Sequence, residues 1–253
     1  MSTEFVTSDA PQGTPVPNLG DRFTFLLAHA DDNMVMAQRL GEWISNAPEL
    51  ETDIAFGNTA LDHLGVARAL YTHAADVEGE GRSEDELAMF RAEREYVNLL
   101  IVEQPNGNFA DTMARQMLFD AYQLELWADL SQSDDPVLAG ISARAQKEAA
   151  YHFRNSSGWV IRLGDGTEES HERMQAALDD SWKYTAEMFE GDAAAYRPAW
   201  EHVVGDVLYA ATLSQPDSSY QRSGGRRGFH SEHLGFLLAE MQWMQRSYPG
   251  LEW

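Results

Sequence analysis

The chain contains no cysteine, only two lysines (Lys147 and Lys183), and no apolar run near the ~20 residues that a membrane-spanning helix needs. Without thiols, disulfides, thiolate catalysis, iron–sulfur clusters and cysteine-ligated zinc are excluded. No glycine-rich nucleotide loop follows a strand, no Ser/His/Asp set is discernible, and no basic–aromatic alternation suggests nucleic-acid binding. Positive charge is also scarce. Asp and Glu number 41 against 18 Lys and Arg, a formal net charge of −23, which repels phosphate backbones and anionic membranes. The opening MSTEFVTSDAPQGTPVPNLG has neither a basic start nor an apolar block, so it does not read as a secretory signal. Residues 1–20 read as a flexible arm, and the expected location is cytoplasmic.

What is present is helical. Hydrophobic residues make up 43% of 253 positions, enough for a sizeable core. From Asp21 to about Asn46, Phe25, His29, Asp32, Met36, Leu40 and Trp43 recur at steps of three or four. A second helix is expected from about Glu51 to Asp76, with Ala55, Asn58, Asp62, Gly65, Ala69 and Thr72 on its seam. A further helical stretch runs through Phe90 and Tyr96. After the turn QPNGN, Asn108 caps a third long helix bearing Met113, Met117, Asp120, Leu124 and Trp127. The fourth begins after Pro136 and carries Leu138, Ile141, Ala145, Glu148, His152 and Trp159. The expected fold is all-α: an up-down four-helix bundle over about residues 21–164, with C-terminal helices over about 168–247, in one helical domain spanning 21–253.

Each long helix has an acid near its midpoint: Asp32, Asp62, Asp120 and Glu148. In an antiparallel bundle these midpoints share a height, so the four acids are expected to form one layer. Ferritin-like di-iron proteins place a carboxylate on two helices and Glu-x-x-His on the other two. Here Gly65 stands three residues after Asp62, and Tyr151 three after Glu148, so both expected imidazoles are absent. His63, one residue after Asp62, is expected to point away from the layer. His152, four residues after Glu148, is the one residue that could restore a ligand. The layer is therefore expected to be vestigial, its acids neutralised by shared protons, by Tyr151 and His152, or by an arginine such as Arg39 or Arg68. The competing reading is an autonomous di-metal oxidase or monooxygenase using Asp32, Asp62, Asp120, Glu148 and His152. A plain helical adaptor is a third.

Two further features stand out. SGGRRG, with Arg222, Arg226 and Arg227, is a basic island able to hold an anion such as coenzyme A or to touch an acidic partner. The last helix, with Leu237, Met241, Met244 and Trp243, suits either partner docking or packing on its own bundle.

RLGEWISNAPELETDIAFGNTALDHLGVAR, VEQPNGNFADTMARQ, KEAAYHFRNSSGWVIRLGDGT and SEHLGFLLAEMQWMQRSYPG closely resemble the C-subunit family of bacterial phenylacetyl-CoA epoxidases, over about Asp21 to Trp253. That resemblance implies a ferritin-like fold and membership of a multicomponent monooxygenase complex of aerobic phenylacetate degradation. It also implies partners: a catalytic A subunit carrying the di-iron site, a reductase subunit, and phenylacetyl-CoA bound through the complex. For this chain it implies a structural role with no cofactor and no metal of its own.

Overall fold

The computed structural model describes residues 21–250, and among these it is entirely helix, turn and loop. The expected arm over residues 1–20 lies outside the described residues. Four long helices form the bundle: α1 (Arg22–Gly41), α2 (Leu50–Glu78), α4 (Phe109–Leu130) and α5 (Pro136–Gly164). The short α3 (Glu84–Met89) lies between the two hairpins, and α6 (Glu168–Trp182), α7 (Arg197–Ala210), α8 (Glu232–Met241) and α9 (Trp243–Ser247) follow the bundle. The expected ferritin-like architecture, with added C-terminal helices, is what the chain adopts.

Local chemistry sets the helix ends. Asn108 accepts from Ala110 N and Asp111 reaches back to Asn108 N, closing the capping box at α4. Asp135 caps α5, whose first residue, Pro136, has no N–H to leave unpaired. α2 ends at Gly79, whose φ of +73° turns the chain out of the helix.

α1 is buried almost all round, from Leu26 to Ala37, because the chain wraps it twice more. The first wrap corrects the sequence expectation. The helical stretch expected through Tyr96 ends at Met89, and Tyr96–Glu103 runs as irregular, wholly buried chain. A buried irregular segment must find partners for its amides. Asp31 Oδ2 accepts from Val97 N at 2.9 Å, Asp32 Oδ1 from Leu99 N at 2.7 Å, and Glu187 Oε2 from Leu100 N at 2.7 Å. The second wrap is the loop 223–230. The first C-terminal helix, α6, stops at Trp182, after which 3₁₀ turns (Ala186–Phe189 and Gly191–Tyr196) bring Glu187 into the core.

Candidate functional site

The four midpoint acids do not form one layer. Asp32 faces the irregular segment and is ion-paired to Arg226, Nη2 to Oδ2 at 2.6 Å and Nη1 to Oδ1 at 3.0 Å. Burial alone would raise the Asp32 carboxyl; Arg226 and neighbouring His29 outweigh it and hold it below the usual range. Asp62 is about a third exposed at the edge of α2 and accepts from His152 Nε2 at 3.1 Å. Glu148 lies at the edge of α5 and is bonded to Arg144 Nε at 2.7 Å. Tyr151 is exposed, and its ring lies edge-on to His152, centroids 6.2 Å apart. Only Asp120 and His152 lie where the bundle centre was expected.

The reason is a register of one residue. A single step turns a helix by about 100°, and α2 buries Thr59, Ala60, His63, Val66 and Ala67 rather than Asn58, Asp62 and Gly65. On α5 the buried series is Ser142, Ala145, Ala149, His152, Ser156 and Val160, so Ala149 replaces Glu148 on the inner face. The inward motif is then Ala60-x-x-His63 on α2 and Ala149-x-x-His152 on α5. The imidazoles are present, and alanines stand where Glu-x-x-His carries its glutamates. This inverts the expectation from sequence. Instead of pointing away, the His63 ring lies 5.0 Å from that of His152, centroid to centroid.

His63, Asp120 and His152 form a compact buried cluster, one candidate ligand atom of each lying within 4.8 Å of the others. Asp120 accepts from Gln116 Nε2 and from the Ser156 hydroxyl, each at 2.7 Å. Burial pushes its carboxyl up to about 6, against the opposing pull of His152 and these two donors. Burial, and then the neighbouring His152, drive His63 well below its ordinary value, so it is a neutral imidazole. A di-iron centre does not fit this donor set, because neither α2 nor α5 supplies an inward glutamate to bridge two ions.

The basic island also resolves differently. Arg226 is buried and turned inward, donating to Asp32 and to the carbonyls of Ala28 and Val97. The amides of Gly224 and Gly225 both donate to Glu187 Oε1 at 2.7 Å, so the loop does bind an anion, but it is the chain's own carboxylate. Gly225 is required because a Cβ there would collide with the Asn98 carbonyl oxygen. Arg222 and Arg227 are exposed. Neither Arg39 nor Arg68 reaches the midpoint acids: Arg39 binds the Glu103 carbonyl and Arg68 binds Glu84 on the surface. Sequence reasoning missed two more buried polar centres. Asp31 is held by Arg91 and Tyr71, and Glu103 accepts from His230 Nδ1 at 2.8 Å and Ser231 N at 2.6 Å. Adjacent acids on one helix were the available signal for Asp31.

A cavity of about 400 Å³ opens beside this core, bordered by Phe25, His29, Tyr122, Tyr196 and Arg226, with Glu187, Glu190 and Asp192 among its lining residues. Those three acids make it a poor receptor for a phosphorylated ligand. His63, Asp120 and His152 do not line it.

An all-helical ferritin-like bundle whose centre keeps two imidazoles and one carboxylate belongs with the di-iron carboxylate architectures but departs from their ligand set. The chain belongs to the phenylacetic acid catabolic protein family, whose model matches residues 9–253. It is 48% identical over 243 residues to the C subunit of the 1,2-phenylacetyl-CoA epoxidase of Escherichia coli (strain K12), covering 90% of this chain and 98% of that protein. No helix among the described residues is long and apolar enough to cross a membrane.

Proposed function

We propose that this chain is the non-catalytic structural subunit of a phenylacetyl-CoA epoxidase, acting in the cytoplasm and pairing with the di-iron catalytic subunit within a complex that also contains a reductase. The observation that carries the reading is the pair Ala60 and Ala149. With alanine at both bridging positions, the chain lacks the carboxylates a di-iron centre needs to activate oxygen. The competing five-ligand site is disfavoured because Asp32 is committed to Arg226 and Glu148 to Arg144.

The bundle also offers a face for pairing. Leu50, Ile54, Leu61 and Leu64 fall within one ~80° sector of α2, and all four are exposed. An apolar stripe of this kind on a highly charged protein marks an interaction surface. Such an interface buries apolar area and can hold the partner's helices in position around its own metal site.

The test is co-expression with a catalytic A-type subunit, followed by purification and metal analysis of each chain. A stable complex in which the catalytic subunit holds two irons and this chain holds no iron supports the reading. Two iron ions in this chain, or turnover of phenylacetyl-CoA by this chain and a reductase alone, defeats it.

A further inference from the structure

We propose that His63, Asp120 and His152 bind one divalent transition-metal cation of the zinc type, a site that ties α2, α4 and α5 together at the centre of the bundle.

The hydrogen bonds around the two imidazoles fix where their protons lie. The Asn33 amide nitrogen donates to the His29 carbonyl at 2.8 Å, which turns Asn33 Oδ1 toward His63. Gln123 Nε2 donates to the same oxygen at 3.2 Å, supporting that orientation. His63 Nδ1 lies 2.8 Å from Asn33 Oδ1, and an amide oxygen only accepts, so Nδ1 carries the proton. His63 Nε2 is then a bare lone pair, and it is buried with no partner. His152 repeats the pattern with its nitrogens exchanged. Nε2 faces the Asp62 carboxylate and carries the proton, and Nδ1 is buried with no partner.

Two orphaned imidazole nitrogens in a protein core are costly, because each has given up water and received nothing. The two histidines form a cluster with the Asp120 carboxylate, whose own oxygens are positioned by Gln116 and Ser156. Each ring is held through its other nitrogen by a polar side chain, Asn33 for His63 and Asp62 for His152. That is how metal-binding histidines are oriented. Two imidazoles and a carboxylate suit zinc(II) and its first-row neighbours rather than magnesium or calcium. Tetrahedral ligands ~2.1 Å from zinc sit about 3.4 Å apart, so small side-chain adjustments close a cluster already within 4.8 Å. Asp62, partly exposed on α2, accepts from buried His152 on α5. One ion is the capacity: the alanines at 60 and 149 leave no bridge for a second.

The experiment uses the full chain, stripped with a chelator and dialysed, then titrated with zinc(II) against a chromophoric competitor and with cobalt(II) by visible absorption. The expected result is one tight equivalent, a cobalt spectrum of low-coordinate nitrogen and oxygen ligation, and a rise in Tm on adding zinc. Asp120→Asn, which preserves shape, and His152→Ala should each weaken the tight equivalent at least about 100-fold while the circular dichroism stays native. Asn33→Leu should weaken it about 10-fold, because it releases the His63 ring. If no equivalent binds tightly, or if Asp120→Asn and His152→Ala bind as the native chain does, the inference fails. That failure is separable from failure of the structural-subunit reading, which is decided by co-purification with the catalytic chain and by its iron.

Discussion

The Arg226 guanidinium and the Asp32 carboxylate, 194 residues apart in sequence, form a two-point ion pair buried in the core. The pair fastens a C-terminal loop to the central helix of the bundle, and Asp32 simultaneously holds the amide of Leu99. Removing one partner strands the other charge where water cannot reach it. Arg226→Met is expected to cost about 3–5 kcal/mol, read as a lower urea midpoint. Pairing it with Asp32→Leu should cost less than the two single substitutions summed, since neither charge is then left alone.

Gly225→Ala tests whether the loop is tailored to the buried segment. The added methyl would collide with a backbone oxygen, which cannot rotate aside as a side chain can. We expect a loss of about 1–3 kcal/mol, with faster hydrogen exchange at Leu99, Leu100 and Gly224, whose amides the neighbouring carboxylates hold. Native exchange rates at those three amides would count against a tailored fit.

Stability should pass through a maximum with pH. Asp32 has a folded value below its ordinary 3.8, so its stabilising contribution is present above about pH 4 and is lost as pH falls through the folded value. His230 has the opposite sign. Burial would lower it, but its bonds to Glu103 and the Tyr96 carbonyl raise it above 6.5. Its contribution is complete below about pH 6.5 and fades as pH rises through the raised value. Urea midpoints measured across pH should show both limbs, and His230→Gln should flatten the alkaline one.

The apolar stripe on α2 predicts a separation of stability from pairing. Leu61 is 66% exposed, so Leu61→Glu should change the stability of the isolated chain by no more than about 0.5 kcal/mol. In the complex it should weaken pairing by about 2 kcal/mol or more, roughly 30-fold, measured by titrating the purified catalytic subunit. Unchanged affinity would place the interface elsewhere, and the exposed Phe236 and Trp243 of the last two helices would be the next face to test.

Glu148→Ala should leave turnover of an assembled epoxidase intact. Its carboxylate is engaged by exposed Arg144, a surface pair worth about 0.5 kcal/mol. Loss of turnover with assembly preserved would return chemistry to this position.

Much of the architecture was legible because it rests on local physics. Apolar residues at helical spacing, Asn108 with Asp111, Asp135 before Pro136 and Gly79 as a terminator act over a few residues, and α4 and α5 begin where those signals put them. The short elements were less legible. Tyr96–Glu103 carries apolar residues that a helix or a buried loop could use equally well. What decides for the loop is the set of carboxylates from α1 and Glu187 that accept its amides.

By itself, then, the sequence determined an acidic, thiol-free, all-helical bundle and the residue types near its middle. It could not say which of two adjacent residues faces inward. Asp62 and His63, like Glu148 and Ala149, differ by about 100° on their helices, and both sets of inner positions make plausible seams. Only the packing of four helices against one another chose His63 and Ala149. Only the tertiary fold could bring Arg226 to Asp32, because the pairing of buried charges depends on distance in space, and the sequence supplies only distance along the chain.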